Sequence, residues 1–424
     1  MVHSVNASGR SSTVLGAAAI LVAGALLAGV AGPAQAATAV PGSTRFGIGS
    51  GIDTTADGAQ VRLAAGLGVG TARIDLWWTG IEKTPGDLVM PASYRTAVDR
   101  LRSAGIRPLI VLDYGNPHHD GGGGPTSADG IAAFARYAGF VAATFGPDVA
   151  GYEVWNEWPN TVAPGLRSAS RYVALTKAAS AAVHAAAPGA VVAGPAMSLL
   201  GADGLHPWLR QWLAAGGPAT VDAVSVHAYS GTRPPETALG PAMRELRAAL
   251  AAQHRSVPVW WTEGGWQAGP PGQAGTVSTA VQSAWLVRWG ALAAHLGAVL
   301  VVPFTLNDAV STPTGYGLYG SAGGGWTARR AATAYAVLVR TVGDRRFAAV
   351  ERSGAGGVWI VRYGSGRDVV RVAWSTSGVR TARVRVPSGT SLVSATGVTS
   401  RTVVVRGETA VRVRAAPVFL RSRR

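Results

Sequence analysis

The chain has 424 residues, 48% of them hydrophobic, enough for one large core or for a large domain beside a small one. It contains no cysteine, which excludes a disulfide framework and any thiolate metal site. The formal net charge of +16 suggests a nucleic-acid partner, but the basic residues are nearly all arginine and are scattered through a chain dominated by Ala, Gly and Val, so no such partner is expected.

At the N-terminus a polar stretch with one arginine precedes the apolar run "VLGAAAILVAGALLAGVAG", and "AQA" at 34–36 supplies a small-residue cleavage site. Residues 1–36 therefore read as a secretory signal peptide, and the protein as secreted, with a membrane anchor as the alternative if the segment stays uncleaved.

Eight short runs rich in apolar and β-branched residues follow: "RFGIGSGI" (45–52), "ARIDLWW" (72–78), "RPLIVLDY" (107–114), "GYEVWNE" (151–157), "VVAGPAM" (191–197), "AVSVHAY" (223–229), "VPVWWTEGG" (257–265) and "AVLVVPFTLND" (298–308). Between them lie longer helix-like segments such as "PASYRTAVDRLRSAG", the pattern of repeated βα units. Near-continuous apolar strands indicate a parallel sheet covered by helices, and eight units predict a closed (β/α)8 TIM barrel over 37–340. No glycine-rich dinucleotide fingerprint or P-loop follows the first strand, and no cofactor is expected. From 341 the texture changes to residue-by-residue alternation ("DVVRVAWST", "TARVRVPSG", "AVRVRAAP"), which predicts a small antiparallel, sandwich-like β domain over 341–424. That segment has sixteen Arg against four acids, a solvated basic face or a contact with an anionic cell envelope.

In such a barrel the chemistry sits at the C-terminal ends of the strands. Those ends carry Asp75, Trp77 and Trp78; Asp113, Tyr114 and Asn116; Asn156 and Glu157; His227 and Tyr229; Glu263; and Phe304, Asn307 and Asp308. Glu157 and Glu263 end two strands facing one mouth, and a carboxylate pair across a pocket is what glycoside hydrolysis requires. Tryptophans 77, 78, 155, 158, 261 and 266 lie close by in sequence, and aromatic faces suit sugar rings. "NPHHDGGGG" (116–124) reads as a substrate loop rather than a metal site, because adjacent histidines diverge and no third ligand is near; no metal is expected. Asp75 and Asp113 read equally as subsite residues or as partners of Arg73, and Glu153 as an inward barrel ion pair.

These motifs resemble those of clan A glycoside hydrolases. "YEVWNEWPN" is similar to the clan's acid/base strand, "WWTEGGW" to its nucleophile strand, "DAVSVHAY" to its sixth strand and "ARIDLWWTGIEKTPGD" to its second, in order over about residues 42–340. Within the clan the likeness is closest to family 39 and related retaining β-glycosidases. It implies Glu157 as general acid/base, Glu263 as nucleophile, Asn156 on the sugar 2-hydroxyl, Tyr229 donating to Glu263, His227 beside the acid/base pair, and Arg73 next to Glu263 or paired with Glu153. An apolar setting would raise the pKa of Glu157 while a cation lowers that of Glu263. Trp78, Trp158, Trp266 and Phe304 complete the expected substrate-binding set. Two departures bear on the sugar platform: Trp158 interrupts the usual Asn-Glu-Pro, and Phe304 stands where many clan members have Trp. Trp326 either replaces that platform or packs where the last helix begins.

The expectation is thus a monomeric secreted enzyme hydrolysing β-linked oligo- or polysaccharide by two glutamates. A non-catalytic carbohydrate-binding protein on the same fold and a basic envelope adhesin are the rival readings.

Overall fold

The computed structural model describes residues 44–51, 58–310, 314–322 and 325–422, so the segment read as a signal peptide lies outside it. All eight apolar runs form strands: β1 (Arg45–Gly49), β2 (Thr71–Trp77), β3 (Arg107–Asp113), β4 (Gly151–Val154), β5 (Val192–Ser198), β6 (Ala223–His227), β7 (Val259–Glu263) and β8 (Ala298–Val301). Each pairs in parallel with its chain neighbours, and β1 pairs with β8 to close the barrel. A helix follows every strand: α1 (Ala59–Leu67), α2 (Ala92–Ser103), α3 (Ala128–Phe145), α4 (Ala169–Ala186), α5 (Pro207–Ala214), α6 (Pro235–Ala252), α7 (Thr279–Leu296) and α8 (Arg330–Val342).

Sequence explains where several of these helices start. Ser127, Ser168 and Ser278 each sit just before a helix and accept from a backbone N–H three residues on, satisfying an otherwise orphan donor. The barrel floor is filled by Trp260, which is accommodated because its neighbours there are small: Ala150, Ala193 and Ala223. Gly151 belongs to the same arrangement, since a Cβ there would stand 3.1 Å from the Trp260 ring. This plugged floor leaves the barrel open only at its C-terminal end, where the polar residues of the strands collect.

The C-terminal region is antiparallel: β9 (Phe347–Ser353), β10 (Val358–Ser365), β11 (Asp368–Ser375), β12 (Arg380–Arg385), β13 (Ser391–Ser394), β14 (Thr399–Arg401), β15 (Glu408–Val413) and β16 (Val418–Arg421). Six of them form one sheet in the order β9-β10-β11-β16-β13-β14, and β12 pairs with β15. The alternation in sequence separates two cores. Val361, Tyr363, Val372, Trp374 and Phe419 join the core around the barrel helices. Ile360, Ala373 and Leu420 face the opposite way, against Val384, Val411 and Val413 of the β12–β15 pair. The region is fastened to α7, with Tyr363 donating to the Ala291 carbonyl (2.6 Å) and Arg288 donating to the carbonyls of Ala415 (2.6 Å) and Ser375 (3.2 Å).

Candidate active site

Strand period carries side chains into the mouth of the barrel. On β2, Arg73, Asp75 and Trp77 share the inward phase and rise from floor to rim: Arg73 is buried, Asp75 half-buried and Trp77 54% exposed. On β6, Ser225 and His227 follow Ala223 on the same phase, and Tyr229 continues it beyond the strand end. On β4 the strand stops at Val154, and Trp155 (φ 63°) and Glu157 (φ 49°) then adopt the left-handed conformation that side chains with a Cβ rarely occupy. Such strain persists only where surrounding contacts hold it, and it marks functional segments. Here the Glu157 N–H donates to the Ala196 carbonyl on β5 (3.0 Å), and Pro159 sits in the first turn of the short helix that follows.

The two glutamates meet through a single ring. His227 Nδ1 lies 2.8 Å from Glu157 Oε1 and 3.5 Å from Glu263 Oε2. Glu263 is further held by the Tyr229 hydroxyl, which donates to Oε2 (2.8 Å), and by Arg73, which donates to Oε1 (2.8 Å). Glu157 accepts from Asn160 Nδ2 (2.9 Å) and more loosely from the Ser198 hydroxyl (3.4 Å). Arg73 spends its whole fork: Nε donates to Glu153 (2.6 Å), one terminal nitrogen to Glu263 and the other to Asn156 Oδ1 (2.8 Å). Both places foreseen for Arg73 are therefore taken at once, and Glu153 is the inward ion pair that was expected. With Asn156 Oδ1 occupied by Arg73, its Nδ2 donates to the Tyr114 hydroxyl (2.9 Å).

The charge states differ from expectation. Burial alone would raise the pKa of Glu157, but the hydrogen bond and charge of His227, with help from Asn160, hold it down at about 2. Burial likewise disfavours the charged form of His227, yet Glu263 and Glu157 outweigh that and raise its pKa above the ordinary histidine value. The expectation of a raised Glu157 is thus corrected: His227 lowers its pKa where an apolar wall would have raised it. Asp75 is pushed up to about 6, mainly by burial, with Arg73 opposing. Asp113 is fully buried, neither oxygen has a hydrogen-bond partner, and burial, followed by the charge of Asp75, keeps its pKa well above the carboxylate range. Arg73 makes its ion pairs with Glu153 and Glu263, not with either aspartate.

Three of the four predicted aromatic contacts are corrected. Trp78 is fully buried, donates to Glu82 (2.6 Å) and stacks between His119 and Tyr137. Trp158 is fully buried against Trp155 and Tyr172, and Trp266 is 2% exposed, donating to the Arg233 carbonyl. Each continues the apolar packing beneath the rim, so none offers a free ring face. Trp77, the neighbour on the inward phase of β2, does. Phe304 is half-buried and touches Tyr229 and Tyr316 edge-on, with ring centroids 6.4 and 5.7 Å apart. Trp326 lies in a hairpin (Tyr319–Ala322 with Gly325–Ala328) immediately before α8, half-buried.

The "NPHHDGGGG" loop is tied down, not open. His119 Nε2 lies 3.0 Å from Glu82 Oε1, Asn116 donates to the Glu82 carbonyl (2.8 Å), and Glu82 also accepts from the Gly86 N–H (2.7 Å). Glu82 therefore clasps the loops after β2 and β3 together, and Asn116, 1% exposed, has no room for substrate. Reading strand ends did not single out Asn160, Ser198 or Tyr316. Asn160 stands inside the quoted "YEVWNEWPN", and Ser198 ends β5 one residue beyond the run "VVAGPAM", whereas Tyr316 comes from a loop whose path no local pattern specifies.

No family model matches the chain, and no curated protein matches it. Solved structures do. A family 39 glycoside hydrolase from Bacteroides cellulosilyticus aligns with a TM-score of 0.75 at 21% identity, over 90% of this chain and 82% of that one. A family 39 β-xylosidase from Caulobacter crescentus gives 0.65 at 18% identity, over 92% and 98% of the two chains. A family 30 endoxylanase from Clostridium papyrosolvens gives 0.62 at 13%, over 91% and 98%. At these identities the likeness shows a shared fold over nine-tenths of this chain.

Proposed function

We propose that the protein is an exported retaining glycoside hydrolase of the family 39 type, acting on β-linked oligo- or polysaccharide, with Glu157 as general acid/base and Glu263 as nucleophile. The observation that carries this reading is the imidazole shared by both carboxylates. Because His227 Nδ1 is 2.8 Å from one oxygen and 3.5 Å from the other, those oxygens lie no further apart than the two distances together. A separation within that bound accommodates the roughly 5–5.5 Å of a retaining pair. Export is supported by the pattern of residues 1–36 alone.

In the first half-reaction the Glu263 carboxylate attacks the anomeric carbon while the bond to the leaving oxygen breaks. That oxygen takes a proton from Glu157, which receives it from His227 over the 2.8 Å hydrogen bond. In the second half water attacks the same carbon, Glu157 takes its proton and returns it to His227, and Glu263 leaves as a carboxylate. Arg73 and Tyr229 hold Glu263 aimed at the anomeric carbon, and Asn156, pinned by Arg73 and Tyr114, is positioned for the sugar 2-hydroxyl.

Aryl β-xylosides and xylans are the first substrates to assay, since two of the similar structures are a β-xylosidase and an endoxylanase. Other aryl β-glycosides and wall polysaccharides follow. The expected outcome is reducing-sugar release that vanishes in Glu263→Ala. Saturable binding without release on any substrate would overturn the enzymatic reading in favour of a binding protein.

A further inference from the structure

Away from the glutamate pair, a groove of about 1030 Å³ runs between the first turns of α7 and α8 and the β12–β15 side of the C-terminal sheets. Its apolar lining includes Trp285, Val379 and Pro417. Trp285 is half-buried and meets Trp266 edge-on at 5.6 Å, which connects the groove floor to the loop that follows Glu263. Arg330, Arg412 and Arg414 stand on its walls, all three exposed.

The charge around these arginines is of one sign. Among the described residues no aspartate or glutamate lines the groove. Within the described residues none of the three guanidinium groups makes an ion pair or a hydrogen bond, so all three forks are available to a ligand; Arg383, Arg401 and Arg406 are unpaired as well, but they line a second groove that also holds Glu408. A concave surface with like charges and low-dielectric walls concentrates positive potential and attracts a polyanion. A planar guanidinium fork matches a carboxylate in bidentate fashion, and an indole face beside it suits the apolar face of a sugar ring.

We infer that this groove is a second glycan site, separate from the glutamate pair, that takes a carboxylated polysaccharide. The charge pattern alone asks for a polyanion; the choice of a glycan rests on the glycosidase reading above. Single-stranded nucleic acid fits less well, because tracts that bind it place successive aromatics under successive bases and this groove has one. A membrane surface fits less well, because it is met by protruding Trp, Phe or Leu and this tryptophan is recessed.

The test uses the full chain carrying Glu263→Ala, so that nothing is digested, titrated with polygalacturonate and with neutral xylan. Replacing the three arginines together (Arg330→Ser, Arg412→Ser, Arg414→Ser) is expected to weaken polygalacturonate binding at least about tenfold while leaving xylan binding unchanged, as loss of charge-assisted contacts requires. An equal loss of charge in the neighbouring groove (Arg383→Ser, Arg401→Ser, Arg406→Ser) is expected to leave polygalacturonate binding within about twofold, the small long-range share that salt screens. Unchanged binding in the first triple variant overturns the inference, and so does an equal loss in both, which would mean general electrostatics. Anionic phospholipid vesicles or a single-stranded oligonucleotide that bind more tightly than polygalacturonate, and lose binding in the first triple variant, also overturn it. Should that variant fail to fold, Arg412→Ser and Trp285→Ala, each measured singly, are expected to weaken binding, and no effect from either overturns the inference. The glycosidase reading is judged separately, by hydrolysis with the unsubstituted protein.

Discussion

The proton shared by His227 and Glu157 across their hydrogen bond makes the contact a pH-dependent contribution to stability. The folded pKa of His227 is raised, so its contribution is complete below the unfolded value of about 6.5 and is lost as pH rises through the folded value. Glu157 is depressed to about 2, so its contribution is complete above an unfolded value of about 4.3 and is lost as pH falls toward the folded one. The urea midpoint of the unsubstituted protein should therefore exceed that of His227→Asn by most between about pH 4.3 and 6.5, with the gap closing on both sides. A gap independent of pH would mean that the pair is not charged as described. Activity should report the same proton: His227→Asn is expected to lose roughly 10- to 100-fold in kcat on substrates with poor leaving groups and little on activated aryl glycosides. At this scale the sequence was partly legible. Glu157, Glu263, Asn156, Tyr229 and His227 announce themselves at strand ends, Arg73 comes from the resemblance, and the structure brings the six together. The sign of the Glu157 shift did not, because it depends on a ring seventy residues away whose charge depends in turn on both glutamates.

Elements decide which side chain of a pair faces the site, and here strand period was the stronger guide. Trp77 and Trp78 are adjacent, yet alternation sends only Trp77 along the phase of Arg73 and Asp75, while Trp78 begins a short helix and turns into the core. Applied to "ARIDLWW", that count alone selects the exposed ring. No such count was available for Trp158 or Trp266, which follow strand ends and whose burial depends on neighbouring loops. The end of β7 shows how closely packing fixes Glu263. A Cβ on Gly264 would stand 2.5 Å from the Trp289 ring and 3.2 Å from the Ala228 carbonyl. Gly264→Ala should thus cost about 1–3 kcal/mol of stability by overpacking. It should also lower kcat by displacing Glu263, measured as a drop in denaturation midpoint together with turnover. Full stability with full activity would show that the strand end has slack there.

For the whole molecule, one face of the C-terminal sheet shares the core around the barrel helices, although the sequence suggests two separate blocks. The alternation after residue 341 was legible as antiparallel strands, but alternation says only that one face is buried, not against what. Long-range contacts supply the answer: Arg288, on α7, reaches carbonyls more than eighty residues away, and with Glu236 it forms a buried pair. Removing one member of a buried pair leaves the other charge uncompensated, at about 3–5 kcal/mol. Arg288→Met should accordingly lower the midpoint of a single calorimetric transition. A transition that splits in two, in either protein, would mean that barrel and sheets unfold independently. The central claim is that Glu157 and Glu263 form the two-carboxylate machinery of a retaining glycosidase, and the most direct test is covalent trapping. Incubation with an activated 2-deoxy-2-fluoro-β-glycoside of whichever sugar is turned over, followed by peptide mass mapping, should place the glycosyl group on Glu263. A label on another residue, or none while the unfluorinated glycoside is hydrolysed, would contradict the account.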